Sequence, residues 1–304
     1  MRIIKQQKIL FDIIRYIFKL AVVRIQKASD NMKILITGAH GFVGNRLMQD
    51  LHDAAAAPSM RGMNEEQIRK IVEESKAEII IHTAAISDVG TCEKNPEASY
   101  EANVRLPCFL AKAAKEQKLI CFSSDQVYRG CAGEGPYKEE DAAPCNVYGS
   151  HKLEMEQRVL DVQPDAVMLR AEWMYDYPAE RSNYLRMLLN EKQVLTFGKQ
   201  YRGITYLREV AENMPKIFRL PGGVYNFGSE TKQTMYDITC EMLRFLKSDR
   251  KPEEVPPAHN LWMDCLKAKE QGIALDMTNE IYLRKNEETF AVRLFRCAGL
   301  LLMQ

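Results

Sequence analysis

The chain has 304 residues, enough for one large domain or a domain with a smaller appendage. With 46% hydrophobic and 27% charged residues it has the composition of an ordinary soluble globular protein. Its 42 basic and 41 acidic side chains leave no overall field for nucleic acid or anionic membrane, and no uncharged apolar run is long enough to span a bilayer.

Residues 1–31 hold seven basic side chains against Asp12 and Asp30, so the remainder is net acidic. Polar residues at Lys5, Lys8, Asp12, Arg15 and Lys19, with Ile, Leu, Phe and Val between them, make a basic amphipathic helix. One reading of it is an anchor for a membrane surface or a partner. The other is a dispensable appendage or a mis-assigned start, because Met32 stands directly before the first strand.

Lys33 to Thr37 is a short apolar run that leads into Gly38, Gly41 and Gly44, and Phe42, Val43, Leu47 and Leu51 follow at helical spacing. That pattern is strand, tight turn, helix. Gly38 allows the bend, Gly41 admits a diphosphate close to backbone N–H groups, and Gly44 lets the helix lie close on the sheet. The phosphate then meets the positive end of the helix. A second strand is barely visible in Asp53–Gly62, where Asp53 facing a ribose 2′-hydroxyl and Arg61 facing a 2′-phosphate are both open.

Residues 65–74 read as a helix that buries Ile68, Ile71 and Val72, and Glu78–His82 as a buried strand followed by the small residues Thr83, Ala84 and Ala85. A helix is expected from about Pro96 through Asn103 to Glu116, then a strand over Leu119–Ser124. The end of that strand, at Ser123, Ser124 and Asp125, is where an open parallel sheet places its chemistry. Further elements are a helix over 147–162, a strand over 166–170, a helix over 182–190, and a strand or loop entering a helix over 203–214. A strand over 223–228, a helix over 235–246, a proline-rich surface loop over 251–259 and a helical tail over 287–304 complete the chain. The alternation argues an α/β fold with a doubly wound parallel sheet and right-handed crossovers.

Tyr148 and Lys152 are four apart in the helix that opens at Val147, so both project from one face. An ammonium held beside a phenol lowers its pKa and lets it pass a proton near neutral pH. Ser124 supplies a hydroxyl to hold a carbonyl in place. The eight cysteines include no C-x-x-C pair or other metal-ligand spacing, so no metal is expected, and scattered single thiols suggest a reducing cytoplasm.

In order, Thr37-Gly-Ala-His-Gly-Phe-Val-Gly44, His82-Thr-Ala-Ala85, Phe122-Ser-Ser-Asp-Gln-Val-Tyr128, Asn146-Val-Tyr-Gly-Ser-His-Lys152, Arg170-Ala-Glu-Trp-Met-Tyr175 and Gly223-Val-Tyr-Asn-Phe-Gly228 resemble an extended short-chain dehydrogenase/reductase. Within that superfamily the chain is most similar to the dTDP-4-dehydrorhamnose reductase group, over about residues 32–275. The resemblance implies a Rossmann-like domain over 32–172, completed by about 203–228, and a smaller C-terminal substrate-binding region from 173–202 and 229–304. It implies Tyr148 as proton donor, Lys152 on the nicotinamide ribose and Ser124 on the carbonyl. NADPH or NADH would lie along Gly38, His40, Gly41, Phe42, Val43, Ala84, Ala85 and Asn103, with Asn103 also shaping the site. A nucleotide sugar would meet Ser87, Trp173, Asn183 and Arg202, although a core tryptophan and a surface arginine are equally open. A homodimer is compatible with the resemblance. Two other functions stay open: a non-catalytic nucleotide-binding subunit of another enzyme, and a sugar-nucleotide epimerase. The chain departs from the reductase group in its short second strand and in Ile86-Ser-Asp-Val-Gly-Thr-Cys-Glu93, where an acidic helix start is typical.

Overall fold

A computed structural model describes residues 32–176, 184–229 and 231–275. The extension over 1–31, Asn183 and the tail over 287–304 lie outside the described residues. In chain order the first half comprises β1 (Ile34–Thr37), α1 (Phe42–Asp50), β2 (Ala54–Ala56), α2 (Glu65–Ser75), β3 (Ile79–His82), α3 (Val89–Lys94), α4 (Pro96–Tyr100), α5 (Leu106–Ala113), β4 (Lys118–Ser124) and α6 (Val147–Val162). There follow β5 (Val167–Ala171), β6 (Trp173–Tyr175), α7 (Tyr184–Leu189), β7 (Thr196–Phe197), β8 (Ile204–Tyr206), α8 (Leu207–Ile217), β9 (Gly223–Phe227), α9 (Met235–Phe245), β10 (Glu253–Glu254) and α10 (Leu266–Glu270).

Six strands form one parallel sheet in the order β2-β1-β3-β4-β5-β9. Side chains alternate between its faces, so each strand feeds two cores. Ile34, Ile36, Ile81, Ile120, Phe122 and Leu169 pack against Leu207, Val210, Met214 and Ile217 of α8 on one face. Leu35, Ile80, Leu119, Cys121 and Met168 pack against Ile68 and Val72 of α2, Leu110 of α5, and Met155 and Val159 of α6 on the other. This is the expected doubly wound, Rossmann-like sheet, and its order reverses between β1 and β3. Crevices beyond the carboxyl ends of the strands at such a reversal are where ligands bind.

Two small parallel pairs, β6 with β8 and β7 with β10, stand beyond the main sheet over a separate cluster of Tyr175, Tyr184, Leu188, Phe197 and Ile238. The proline-rich stretch read as a loop therefore contributes β10 as a partner for β7.

Three local differences from the sequence reading have physical causes. β2 forms, though only three residues long, because Ala54–Ala56 pair in register with Ile34–Ile36. A classical dinucleotide fold carries two strands outboard of the first, and among the described residues this sheet carries one. The helix expected over 96–116 is broken into α4, a π-helical turn at Glu101–Arg105 and α5. Pro107 has no N–H to give to the carbonyl four residues back, and the wider turn absorbs that loss. The unexpected α3 starts where Asp88 caps it, accepting from the Thr91 N–H at 2.7 Å.

Candidate functional site

At the reversal point the glycine turn joins β1 to α1. Gly38 has φ +71°, and a Cβ there would stand 2.6 Å from the Ala84 nitrogen, so both backbone shape and space demand glycine. A Cβ on Gly44 would collide with the Gly38 carbonyl, which is what close packing of α1 on the turn requires. Gly41 is different. It is exposed, and its Cβ would meet only the Gly38 oxygen, at 3.0 Å. It also occupies the N-cap of α1, where no side chain caps the first turn. The N-terminal end of α1 at Gly41, Phe42 and Val43 is therefore a cradle suited to an anionic phosphate. His40 is exposed beside it, and Ala84 and Ala85 leave room at the end of β3.

Facing this turn across the strand ends are Ser124, Tyr148 and Lys152, all buried. Asn146 sets the register of α6 by accepting from the Gly149 N–H at 2.7 Å. Lys152 Nζ donates to the Phe122 carbonyl at 2.7 Å and lies 5.8 Å from the centre of the Tyr148 ring. Burial pulls Lys152 down to about 8 against the charges of Cys121 and Glu156. Tyr148 does not follow the expectation of a lowered phenol. Burial raises it, the Ser124 hydroxyl pulls the other way by hydrogen bonding, and the Asp125 charge adds to the rise. The phenol therefore keeps its proton at neutral pH.

Residues beneath the trio fix it in place. His82 Nδ1 pairs with the Thr37 hydroxyl at 2.7 Å, and burial together with the Lys152 charge drives it down to about 3, so the ring is neutral. Glu156, one turn after Lys152, accepts from Ser123 and from Arg170, whose Nη2 is 2.7 Å away. Arg170 Nη1 reaches the Tyr128 hydroxyl at 2.7 Å. Asn103 was expected along the cofactor as well as shaping the site. Its amide is bonded within the chain: it accepts from Ile86 N–H at 3.1 Å and donates to the Ile86 carbonyl at 2.9 Å and Ser99 at 3.1 Å. These bonds tie the segment after β3 to the π-helical turn.

The far side of the crevice is a charged corner. Arg202 donates through Nε to Asp125 Oδ2 at 2.7 Å, and its guanidinium lies 5.4 Å from the centre of the Trp173 ring. Trp173 meets Tyr184 edge-on at 5.3 Å, so it is a partly buried wall of the crevice and also part of the smaller cluster. Ser87 is exposed at the start of the segment that leads into α3. Asp125, which holds Arg202 and accepts from the Ser124 hydroxyl at 3.1 Å, had no assigned role in the sequence. Nor did Glu172, buried between β5 and β6. The signal for Asp125 was its place after a strand end; Glu172 had none. Arg46 of α1 ties the glycine turn's helix to Asp176, at the end of β6, by bonds of 2.7 and 2.8 Å.

Asp53 stands at the amino-terminal end of β2, where its carbonyl accepts from Ile34, so it lies at the opposite end of the strands from the one where a ribose would be met. Ala54 to Ala57 bring no carboxylate to the other end, and Arg61 is exposed just beyond. A depression of about 1040 Å³ lined by Glu78, Lys118, Asp165 and Phe218 lies at the amino ends of the strands and shares no residue with this crevice.

Residues 32–264 match the family described as RmlD substrate binding domain. The chain is 28% identical over 243 residues to a dTDP-4-dehydrorhamnose reductase of Aggregatibacter actinomycetemcomitans, covering 74% of this chain and 82% of that protein. It is 26% identical over 297 residues to methionine adenosyltransferase 2 subunit beta of Xenopus laevis, covering 86% and 88%. A crystal structure of dTDP-4-dehydrorhamnose reductase from Bacillus anthracis in complex with NADP superposes with TM-score 0.74 at 22% identity, covering 84% of this chain and 98% of that one.

Proposed function

The chain belongs to the RmlD substrate binding domain family, and from that premise we propose that it is an NADPH-dependent reductase of the keto group of a nucleotide-activated deoxysugar. The observation that carries this reading is the convergence of Ser124, Tyr148 and Lys152 opposite an uncapped, glycine-lined helix start. The first turn of α1 suits the diphosphate, the Ala84-Ala85 step leaves space for the nicotinamide half, and Lys152 would hold its ribose. The absence of a carboxylate at the end of β2, with Arg61 beyond it, favours a 2′-phosphate over a bare hydroxyl, hence NADPH over NADH.

When bound, the nicotinamide supplies the hydride. Ser124 orients the substrate carbonyl, and Tyr148 gives its proton to the carbonyl oxygen as the alcohol forms. A phenol raised by burial is fully protonated at neutral pH, which is the state a donor needs. The charge of Lys152 then stabilises the tyrosinate until a proton returns. Trp173 and Arg202 line the opposite wall, where the guanidinium suits the diphosphate of the sugar nucleotide.

The test is Tyr148→Phe. NADPH oxidation with dTDP-4-dehydrorhamnose, or a related ketosugar nucleotide, falls by at least about 100-fold while NADPH binding is retained. Undiminished turnover refutes the assignment. A second reading, a nucleotide-binding subunit of another enzyme, draws on the long match to the methionine adenosyltransferase subunit and on the shortness of β2, outboard of β1. It predicts no NADPH oxidation with any ketosugar nucleotide and a tight protein partner.

A further inference from the structure

Glu172 is a carboxyl group in a space made for it. It is 7% exposed, and its Oε1 accepts from the Thr205 hydroxyl at 2.6 Å and the Ser229 N–H at 2.7 Å. A Cβ on Gly203 would collide with this carboxyl group, and one on Gly228 would stand 2.5 Å from it. Neither glycine has a positive φ, so it is the bulk of Glu172 that excludes a side chain at both positions. One buried side chain thus joins the end of β5, the entry to β8 and the exit from β9.

Its neighbours in sequence and space are the charged corner itself. Gly203, packed on the carboxyl, follows Arg202; Trp173 follows Glu172. Among the described residues, the charged groups that bear on Glu172 are Asp125, from the end of β4, and Arg202, from the approach to β8, while Thr205 and Ser229 offer neutral donors. The Arg202 guanidinium is bonded to Asp125, and its charge also reaches Glu172. Ionised Glu172 leaves the corner with a net negative charge; protonated Glu172 leaves it neutral.

We propose that Glu172 is a positioning residue: its carboxyl seats Gly203 so that Arg202 is presented beside Asp125 and Trp173, and its charge sets how strongly this corner receives a nucleoside diphosphate. The inference rests on the reading of this wall as the nucleotide-sugar side of the crevice. Burial, with the Asp125 charge, pushes Glu172 up to about 8 against the bonds from Thr205 and Ser229 and the Arg202 charge. The neutral form, and the receptive corner, thus prevail at neutral pH and give way as pH rises.

The experiment uses the full chain with Trp262→Phe, which leaves Trp173 as its one tryptophan, and dTDP as the probe. Trp173 emission is expected to titrate with a midpoint near pH 8. The dTDP dissociation constant should rise about threefold or more from about pH 7 to about pH 9. Adding Glu172→Gln keeps an acceptor for Thr205 and Ser229 and removes the charge, and both pH dependences should vanish. Glu172→Asp, which keeps a titratable carboxyl group but withdraws it from Gly203, should retain a titration while weakening dTDP at neutral pH; it serves if the glutamine variant does not fold. An unchanged titration in the Glu172→Gln protein, or none in its parent, overturns the proposal. A Glu172-dependent titration and dTDP response in a protein that reduces no ketosugar nucleotide supports it and overturns the reductase reading instead.

Discussion

Arg202 Nε donates to Asp125 Oδ2 across 2.7 Å, joining residues 77 apart in sequence at the end of β4 where Ser124 stands. The bond holds a guanidinium over the crevice and neutralises a buried carboxylate next to the Ser124 hydroxyl. Removing it does two kinds of damage, to substrate affinity and to Ser124.

Arg202→Lys keeps a charge but loses the planar fork that serves Asp125 and Trp173 together. KM for the sugar nucleotide is expected to rise about tenfold with a smaller fall in kcat, since a charge-assisted bond contributes about 1.5–3 kcal/mol. Arg202→Ala, which also leaves Asp125 unpaired, should lower kcat as well. Steady-state kinetics with varied sugar nucleotide separate the two, and equal KM in all three proteins would refute the placement.

The three glycines of the turn are not equivalent. Gly38→Ala and Gly44→Ala drive a methyl into backbone and should each destabilise the fold by about 1–3 kcal/mol or more. Gly41→Ala meets only the Gly38 oxygen at 3.0 Å, so it should melt within a few degrees of the parent yet bind NADPH more weakly. Thermal melts with and without NADPH distinguish these outcomes.

Arg170 and Glu156 form an ion pair with side chains only 3% and 2% exposed. Arg170→Met leaves Glu156 buried without its cation and should lower stability by about 3–5 kcal/mol in urea titrations. Adding Glu156→Gln to it should recover part of that loss, because the orphaned charge is then gone.

Glu172 gives the stability a pH signature. Its folded-state pKa is raised above the unfolded value, to about 8, so the folded protein binds the extra proton between roughly pH 4.5 and 8. The contribution is full below that window and is lost as pH rises through it. Chemical denaturation should show stability falling across this range by at most about 1.4 kcal/mol per pH unit from this group, and Glu172→Gln should flatten the fall.

Lys152 acts with the opposite sign. Burial holds its folded pKa at about 8, below the usual lysine value, so the unfolded chain binds more protons between about pH 8 and 10.5 and stability gains from Lys152 as pH rises there. Lys152→Met should remove that rise, and an unchanged profile would show that Lys152 is not buried as a charge.

What the sequence determined by itself was everything encoded in local period and chirality. The β1-turn-α1 unit follows from the spacing of Gly38, Gly41 and Gly44, and Tyr148 and Lys152 share a face because they are four apart on one helix. Those signals depend on near neighbours in the chain, so they survive without coordinates. Tertiary structure decided what depends on distant strand ends meeting. Asn103 became a brace for Ile86 once the π-turn rotated it inward. Asp125 acquired Arg202, and Glu172 acquired its slot between Gly203 and Gly228. Tyr148 was read as lowered by a nearby ammonium and is raised instead, because desolvation is set by the whole surrounding volume, which no spacing along the chain records.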